Sequence, residues 1–196
     1  MRFRILHYET LDSTNNLALH LAREGAHEGT VVAADFQTKG RGRFKRRWIS
    51  PKGKGLLFSI ILRPQLKTSA ASILTHLTAR SVAEVLKTSF ELPVKLKRPN
   101  DVLVNGKKIA GILTESSGNH HQLEYVVAGI GLNLNMKPKE LLRTATSVYI
   151  ETKKAVKDKE ELLAKILSSF RSKYEAVTKT QRRIEKQKPR LLHYAE

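Results

Sequence analysis

The residues best suited to do chemistry in this sequence lie in one short segment rich in arginine and glycine. Five of the seven residues in 41–47 are Lys or Arg, and Gly40 and Gly42 accompany them. Glycines let backbone N–H groups approach a ligand closely, and clustered cations neutralise a polyphosphate. The pattern GxxxxGK(S/T) is absent, so the segment is not a P-loop. Spacing alone leaves three interpretations open: a phosphate-binding loop, a solvated basic hairpin and a nucleic-acid contact.

A second group of polar residues flanks a predicted β-hairpin. Asn100 and Asp101 precede the hairpin turn, and Lys108 begins the apolar strand that follows it. Asn105-Gly106 between them is the strongest short-range hairpin signal. An Asn-Asp pair after proline is also typical of an ordinary turn. A lysine that faces the interior needs an anionic partner, but strand alternation equally allows Lys108 to face solvent.

The segment GIGLNLN at residues 129–135 alternates small or polar residues with aliphatic ones. One interpretation is an edge strand whose glycines permit close backbone approach. The other is a strand against which a ligand lies, with asparagine side chains at its rim. HExxH and GxSxG patterns are absent, so neither a zinc site nor a serine hydrolase is indicated. A reaction at these residues would then proceed without a covalent enzyme nucleophile.

Composition limits the classes of function. The chain has 196 residues, of which 36 are Lys or Arg and 18 are Asp or Glu, giving a net charge of +18. This excess predicts attraction to a polyanion, whether nucleic acid, anionic membrane, nucleotide phosphate or acidic protein. The lack of cysteine excludes disulfides, thiolate zinc sites and a cysteine nucleophile. No apolar run reaches the roughly 18 residues of a membrane span, so we expect a cytoplasmic protein with no membrane partner.

Hydrophobic patterning predicts an α+β fold, with a mixed, largely antiparallel sheet flanked by helices. A helix should follow the N-cap residues 12–15 and end at Gly25, a second should cover 68–90, and a third should begin after Asp158. We expect one domain over residues 1–177 and a basic C-terminal tail over 178–196. The predicted strands are 3–7, 30–36, 56–62, 94–97, 102–104, 108–114 and 124–134.

Taken together, five motifs resemble those of the catalytic domain of biotin protein ligases, in that family's order over about residues 3 to 136. The resemblance implies a fold related to class II aminoacyl-tRNA synthetases and lipoate ligases. It implies an ATP-dependent ligase that uses Mg²⁺, forms biotinyl-5′-AMP and transfers biotin to a lysine of a biotin carboxyl carrier protein domain. The motifs are Asp12-Ser13-Thr14-Asn15, Gln37-Thr38-Lys39-Gly40-Arg41-Gly42-Arg43 with Trp48, Pro99-Asn100-Asp101, Lys108-Ile109-Ala110-Gly111-Ile112 and Gly129-Ile130-Gly131-Leu132-Asn133.

The resemblance also implies a role for each matched side chain. Lys108, Arg41 and Arg43 would be catalytic, since two anions react in the first step and cations offset their repulsion. No side chain is assigned as a metal ligand. The biotin-binding residues would be Ser13, Thr14, Asn15, Gln37, Gly40, Arg41, Gly42, Arg43, Lys108 and Gly111. The ATP-binding residues would be Arg43, Trp48, Asn100, Asp101, Lys108, Gly131 and Asn133.

Some features depart from the family pattern. Arg98 stands where that family usually has tryptophan, and Lys45 stands where glycine is common. The chain shows neither the N-terminal helix-turn-helix nor the small C-terminal β domain of many members, so specific DNA binding is not expected. Two alternative functions are a ligase for lipoate or octanoate, and a catalytically weak relative that binds nucleic acid. The oligomeric state is open between a monomer and a homodimer paired through a strand edge.

Overall fold

The computed structural model describes residues 1–119 and 121–187, the last seven of these by their backbone only. Within these residues lies a seven-stranded sheet in the order β1-β2-β3-β7-β6-β5-β4. The strands are β1 (Arg4–Leu11), β2 (Thr30–Gln37), β3 (Gly55–Leu62), β4 (Val94–Lys97), β5 (Asp101–Val104), β6 (Lys107–Gly118) and β7 (Leu123–Asn133). The helices are α1 (Thr14–Arg23), α2 (Ala71–Phe90), α3 (Val148–Thr152) and α4 (Lys159–Gln187).

The strand directions confirm the predicted fold class. β1 and β2 run parallel, and the other neighbouring strands pair antiparallel. The Asn105-Gly106 turn joins β5 to β6 as the sequence indicated, with both residues at positive φ. The result is an α+β fold with a mixed, largely antiparallel sheet flanked by helices. Among the described residues, no helix is both long and apolar enough to cross a membrane.

Helices cover both faces of the sheet. α2 and α4 pack on one face, over a core that includes Phe58, Ile60 and Ile130. α1 packs on the other face, where Ala18 and Ala22 belong to a cluster of buried residues contributed partly by β2, β3 and β7. Because successive residues of a strand point to opposite faces, the central strands are apolar on both. α1 covers only part of its face, and the candidate site lies beside it.

Three features differ from the sequence-based expectations. β7 is the central strand of the sheet, so interpreting residues 129–135 as an edge strand is wrong. α4 runs without a break to Gln187, so the basic tail expected from residue 178 begins inside a helix, and residues 188–196 lie outside the described residues. α3 was not predicted, because five residues are too few to show helical periodicity. The domain boundary at residue 177 stays a prediction.

The contact between α2 and α4 includes an ion pair that should make stability depend on pH. Glu84 accepts hydrogen bonds from Lys173 and Ser169, and these lower the pKa of its carboxyl below the ordinary 4.5. A carboxyl whose pKa falls on folding adds stability above its unfolded pKa and loses it as the pH drops through the folded pKa.

We therefore expect Glu84→Gln to lower the free energy of unfolding at pH 7 by less than about 1 kcal/mol, since the pair is exposed to solvent. The difference from the parent protein should shrink as the pH falls below 4.5. Urea unfolding between pH 7 and pH 4 measures this, with Glu124→Gln, an exposed position in β7, as the matched control. A difference that grows on acidification would contradict the assignment.

Candidate functional site

Glycines on one face of the two central strands make room for the side chains that build the site. Gly111 of β6 and Gly131 of β7 are directly paired. A Cβ atom at Gly131 would lie 2.4 Å from Trp48 Cε2, and one at Gly111 would lie 3.0 Å from Trp48 Cζ3. Gly129 lies two residues before Gly131 in β7, and a Cβ atom there would lie 1.8 Å from Asn15 Oδ1. Only glycine allows Trp48 and Asn15 to contact the sheet this closely.

A β-bulge in β6 determines the face on which Lys108 lies. Lys108 lies opposite Leu103 of β5, and Ala110 lies opposite the adjacent residue Val102. Ile109, between Lys108 and Ala110, is therefore one extra residue on β6. In a regular strand, positions 108 and 111 would face opposite sides, but the extra residue places both on the same face. Lys108 Nζ lies 2.6 Å from Asp101 Oδ1 and 5.5 Å from the centre of the Trp48 ring. Lys108 therefore faces the site, an orientation that the sequence had left open.

The backbone of Lys108 is held by a segment that sequence reasoning missed. Lys108 N donates to Thr144 O at 2.9 Å, and Thr146 N donates to Lys108 O at 2.8 Å. Asn133 Nδ2 also donates to Thr146 O, at 2.9 Å. Thr146 Oγ1 in turn donates to Glu151 of α3. The short polar run at residues 144–147 was the available signal, but it has neither a helical nor a strand period.

A cluster of buried polar side chains lies at the start of α1. Ser13, the N-cap residue, makes no side-chain capping bond, and Ser13, Thr14 and Asn15 are all at most 4% exposed. Thr14 donates to Gln37 Oε1 from its backbone N at 2.7 Å and from Oγ1 at 3.1 Å. Ser59 Oγ lies 2.8 Å from Thr14 Oγ1 and 2.6 Å from Asn15 Oδ1. These bonds fix the orientation of the cluster before a ligand arrives. Ser59 was missed, although a lone hydroxyl within an apolar strand was a signal.

The basic loop folds back on itself between Gly40 and Trp48. Trp48 N donates to Gly40 O at 3.0 Å, and a Cβ at Gly40 would lie 2.4 Å from Trp48 O, so this close approach requires glycine. Phe44 and Lys45 both adopt positive φ, 55° and 60°. Such a conformation costs a non-glycine residue about 1–2 kcal/mol, which accounts for the glycine that the resembled family often has at position 45. Phe44 is 81% exposed at the tip of the loop.

The loop borders an open cleft of about 760 Å³. The two loop arginines assigned to substrate differ in their surroundings. Arg41 donates to Glu115 Oε1 at 2.6 Å and to Asn16 Oδ1 at 2.8 Å, whereas Arg43 lies over the ring of Phe44 at 5.0 Å. The cleft is lined by Lys39, Gly40, Arg41, Gly42, Arg43, Phe44, Lys45, Arg46, Arg47, Ser72, Thr75, Pro99, Asn100, Ile112, Leu113, Thr114 and Glu115.

The Pro99-Asn100-Asp101 motif lies next to both Lys108 and this cleft. Asn100 Nδ2 donates to Ile112 O at 2.7 Å, so this amide extends the pairing between β5 and β6. Asp101 pairs with Lys108. Arg98, which replaces the usual tryptophan, is exposed. The structure thus places residues of all five motifs around the glycine-lined face and the adjoining cleft, and several of them, including Asn15, Asn100 and Arg41, are already engaged by protein partners.

Two buried polar atoms of the site lack a hydrogen-bond partner among the described residues. They are the Trp48 Nε1–H donor and the Asn133 Oδ1 acceptor. Leaving a buried polar group unsatisfied costs about 1–3 kcal/mol, and such groups are rare in folded proteins. A ligand that offers an acceptor to the indole and a donor to the amide would remove this cost. Within the described residues, no group of three acidic, histidine or cysteine side chains is arranged to hold a metal ion.

Comparisons with known proteins point to one family. A model described as the biotin/lipoate A/B protein ligase family matches residues 8–133. The bifunctional ligase/repressor BirA of Bacillus subtilis is 37% identical over 174 residues, which are 87% of this chain and 53% of that protein. The biotin–[acetyl-CoA-carboxylase] ligase of Paracoccus denitrificans is 39% identical over 166 residues, 81% of this chain and 68% of that protein.

A solved structure agrees with these matches. Biotin protein ligase from Aquifex aeolicus, in complex with biotin and ATP, has a TM-score of 0.77 and 33% sequence identity to this chain. The alignment covers 90% of this chain and 72% of the Aquifex chain. The present chain spans about half the length of the Bacillus relative, 53%.

The contact of Trp48 with Gly131 can be tested optically, because Trp48 is the single tryptophan of the chain. We expect Gly131→Ala to push the indole away from the sheet, to shift its fluorescence emission to longer wavelength and to destabilise the fold by about 1–3 kcal/mol through overpacking.

The control is Gly25→Ala. It also strains the backbone, since Gly25 has a φ of +86°, but the added Cβ has no neighbouring atom within 4 Å. Its emission should match that of the parent. An unshifted spectrum for Gly131→Ala would show that Trp48 does not lie on the sheet in solution.

Proposed function

Because this chain belongs to the biotin/lipoate A/B protein ligase family, we propose that it carries the catalytic site of an ATP-dependent biotin protein ligase. It would activate biotin as biotinyl-5′-AMP and transfer the biotinyl group to a lysine of a biotin carboxyl carrier protein domain. The observation that carries the proposal is the position of Lys108. Its ammonium group is held by Asp101 and Trp48 on the glycine-lined face that also receives the polar cluster of α1.

The polar cluster at the start of α1 suits the ureido ring of biotin. That ring is neutral and carries both N–H donors and a carbonyl acceptor, which hydroxyl and amide side chains match. Ser13 and Thr14, which are buried, and Gln37, which is half-buried, supply these groups from a prearranged wall. Asn15 contributes by holding this wall against Gly129 rather than by a free amide.

The first reaction step joins two anions. A carboxylate oxygen of biotin attacks the α-phosphorus of ATP, a new P–O bond forms, and the bond to the β-phosphate oxygen breaks to release pyrophosphate. Lys108 and Arg43 offset the repulsion and the charge that grows in the transition state. The Asp101 contact and the cation–π contact with Trp48 fix the direction of the Lys108 ammonium. Fixed cations of this kind pay little reorganisation energy during the reaction.

The second step forms an amide. The neutral amine of the acceptor lysine attacks the carbonyl carbon of biotinyl-5′-AMP, AMP departs with the electron pair of the C–O bond, and the nitrogen releases one proton to solvent. The acyl adenylate is already activated, so no enzyme nucleophile is needed. This agrees with a sequence that contains no cysteine and no GxSxG pattern.

The two unsatisfied atoms of the site support binding of the adenine ring. Adenine presents an acceptor, N7, beside a donor, the N6 amino group. Trp48 Nε1 and Asn133 Oδ1 are the complementary donor and acceptor. Gly131 would contribute indirectly, because its missing side chain lets Trp48 lie on the sheet.

Mg²⁺ would enter as the companion of ATP. Asp101 is the carboxylate nearest to Lys108, and the described residues hold no cluster of three metal-ligating side chains. This fits Mg²⁺, which commonly keeps water and phosphate ligands and takes only one or two carboxylates from the protein. When bound, the ion would neutralise charge on the phosphates. In this proposal Asp101 would contribute one ligand to the ion.

The main alternative within the same family is a ligase for lipoate or octanoate. The buried hydroxyls of Ser13 and Thr14 and the half-buried amide of Gln37 favour biotin, because an alkyl chain lying against them would offer these polar groups no hydrogen bonds. The high positive charge fits an acidic acceptor domain that is steered to the site. A homodimer, the absence of specific DNA binding and a cytoplasmic location stay predictions.

The proposal predicts that pyrophosphate exchange into ATP depends on biotin and on Lys108. Lys108→Ala should lower kcat for exchange by at least about 100-fold, since it removes a cation from the developing charge. Lys107→Ala, which changes the adjacent exposed lysine, is the matched control and should leave the rate within about twofold. Lipoate and octanoate are assayed in parallel. Exchange supported by either of these acids and not by biotin would contradict the proposed substrate, and undiminished exchange in Lys108→Ala would contradict the proposed role of Lys108.

A further inference from the structure

Glu151 of α3 accepts hydrogen bonds from two segments that border Lys108. Its Oε1 accepts one from Thr146 Oγ1, and its Oε2 accepts one from Asn105 Nδ2 at 2.8 Å. Thr146 precedes α3 and is fully buried, whereas Asn105 is exposed in the turn between β5 and β6. Glu151 lies outside the five motifs that carry the family resemblance. It is a half-buried carboxylate that the reaction as described does not use.

On one side, the backbone of Lys108 is bonded to residues 144–146 rather than to a strand of the sheet. The register pairs β6 with β7 from Ala110 onward. Before that point, Lys108 forms a short parallel bridge with residues 144–146. Lys108 N donates to Thr144 O at 2.9 Å, and Thr146 N donates to Lys108 O at 2.8 Å. Because a β-bulge disrupts the regular ladder here, the position of Lys108 depends on how firmly this segment is held.

Glu151 closes a ring of contacts around Lys108. Asn105 lies three residues before Lys108 in the same hairpin, and Thr146 is bonded to Lys108 directly. The carboxylate joins the side chains of Asn105 and Thr146, so the turn and the segment cannot separate without breaking one of its two bonds. Since Thr146 is buried, loss of its partner would leave a donor unsatisfied, which adds to the cost of opening the ring. The ring therefore restricts movement of the Lys108 backbone.

The same segment determines the direction of the Asn133 amide. Asn133 Nδ2 donates to Thr146 O at 2.9 Å, which leaves Asn133 Oδ1 as the unsatisfied acceptor described above. Thr146 thus bonds to Lys108 through its N–H, to Asn133 through its carbonyl and to Glu151 through its hydroxyl. A shift of Thr146 would displace a proposed catalytic cation and a proposed adenine acceptor together.

We propose that Glu151 is a positioning residue that fixes Lys108 by tying residues 144–146 to the β5–β6 turn. It acts through Thr146 and Asn105 and does not touch the reacting atoms. The kinetic consequences rest on the proposed function, whereas the tie between Glu151 and Asn105 does not.

Glutamine at position 151 separates hydrogen bonding from charge. Its amide oxygen can accept from Thr146, and its NH₂ group can donate to Asn105 once the exposed amide of Asn105 turns over. Glu151→Gln therefore keeps the ring closed without the negative charge. Glu151→Ala removes both bonds and opens it.

Steady-state kinetics of biotin-dependent pyrophosphate exchange test the effect on Lys108. Glu151→Ala should lower kcat at least about tenfold, because a small displacement of a reacting group is costly. It should leave the KM of biotin within about threefold, since Glu151 does not contact the polar cluster of α1. Glu151→Gln should recover kcat to within about threefold of the parent. Glu124→Ala, which removes an exposed carboxylate of β7, is the matched control and should behave as the parent.

A double variant shows whether Glu151 acts through Lys108. Lys108→Ala with Glu151→Ala should have a kcat within about twofold of that of Lys108→Ala alone, because the positioned group is already gone. Multiplied losses would overturn the proposal, as would an undiminished kcat in Glu151→Ala. A Glu151→Gln variant as slow as Glu151→Ala would show that the charge is what matters, and would overturn it as well.

Urea unfolding of the ligand-free protein tests the tie without reference to activity. Asn105→Gly removes the side chain but suits the turn, because glycine readily adopts the positive φ of 49° at this position. Asn105→Gly should be more destabilising in the parent, where it breaks the bond to Glu151, than in the Glu151→Ala background, where that bond is already absent.

Equal shifts of the urea midpoint in the two backgrounds would contradict the tie and overturn the proposal. Because Asn105 is exposed, its glycine variant stays measurable even if Glu151→Ala folds poorly, and it should then lower kcat in the same direction. An unchanged kcat in a destabilised Asn105→Gly would likewise count against the proposal. Absence of exchange in the parent protein would instead count against the proposed function.

Discussion

The ammonium group of Lys108 lies on a half-buried face of the sheet, where it needs a nearby anion and a fixed direction. Asp101 supplies the anion from the neighbouring strand, and the face of Trp48 supplies a second favourable contact. Much of the local structure serves this arrangement. The bulge in β6 turns Lys108 toward the site, the segment at residues 144–147 holds its backbone, and Gly111 leaves room for its side chain.

The basic loop presents the opposite electrostatic problem. Several cations stand close together, and their mutual repulsion favours an open loop when no anion is bound. Glu115 offsets part of this repulsion at Arg41, and the turn between Gly40 and Trp48 closes the loop through backbone hydrogen bonds. The remaining cations still lack an anionic protein partner in the part of the chain the structure describes. A ligand with a carboxylate and phosphates would supply that missing charge, which connects the electrostatics of the loop to the proposed reaction.

Local elements were predicted well because their signals are local. The strand Val94–Lys97 was predicted with the bounds that the structure shows, and the hairpin at Asn105-Gly106 follows from the positive φ angles that these residues tolerate. The central position of β7 was not predicted, because a strand apolar on both faces and an edge strand with glycines look alike until the strand order is known. Ser59 and Glu115 were missed for a related reason. Their partners are more than 40 and 70 residues away along the chain, respectively.

The sequence by itself determined the types of chemical group available: clustered cations, a lysine opening an apolar strand, alternating glycines, and hydroxyl and amide residues before the first helix. Its motifs also indicated the family. Only the tertiary structure decided how these groups face one another. Adding one residue to a strand reverses the direction of every side chain beyond it, so the β6 bulge, invisible in the pattern, places Lys108 beside Asp101 and Trp48. The ion pair of Arg41 likewise depends on Glu115, a partner brought near only by folding.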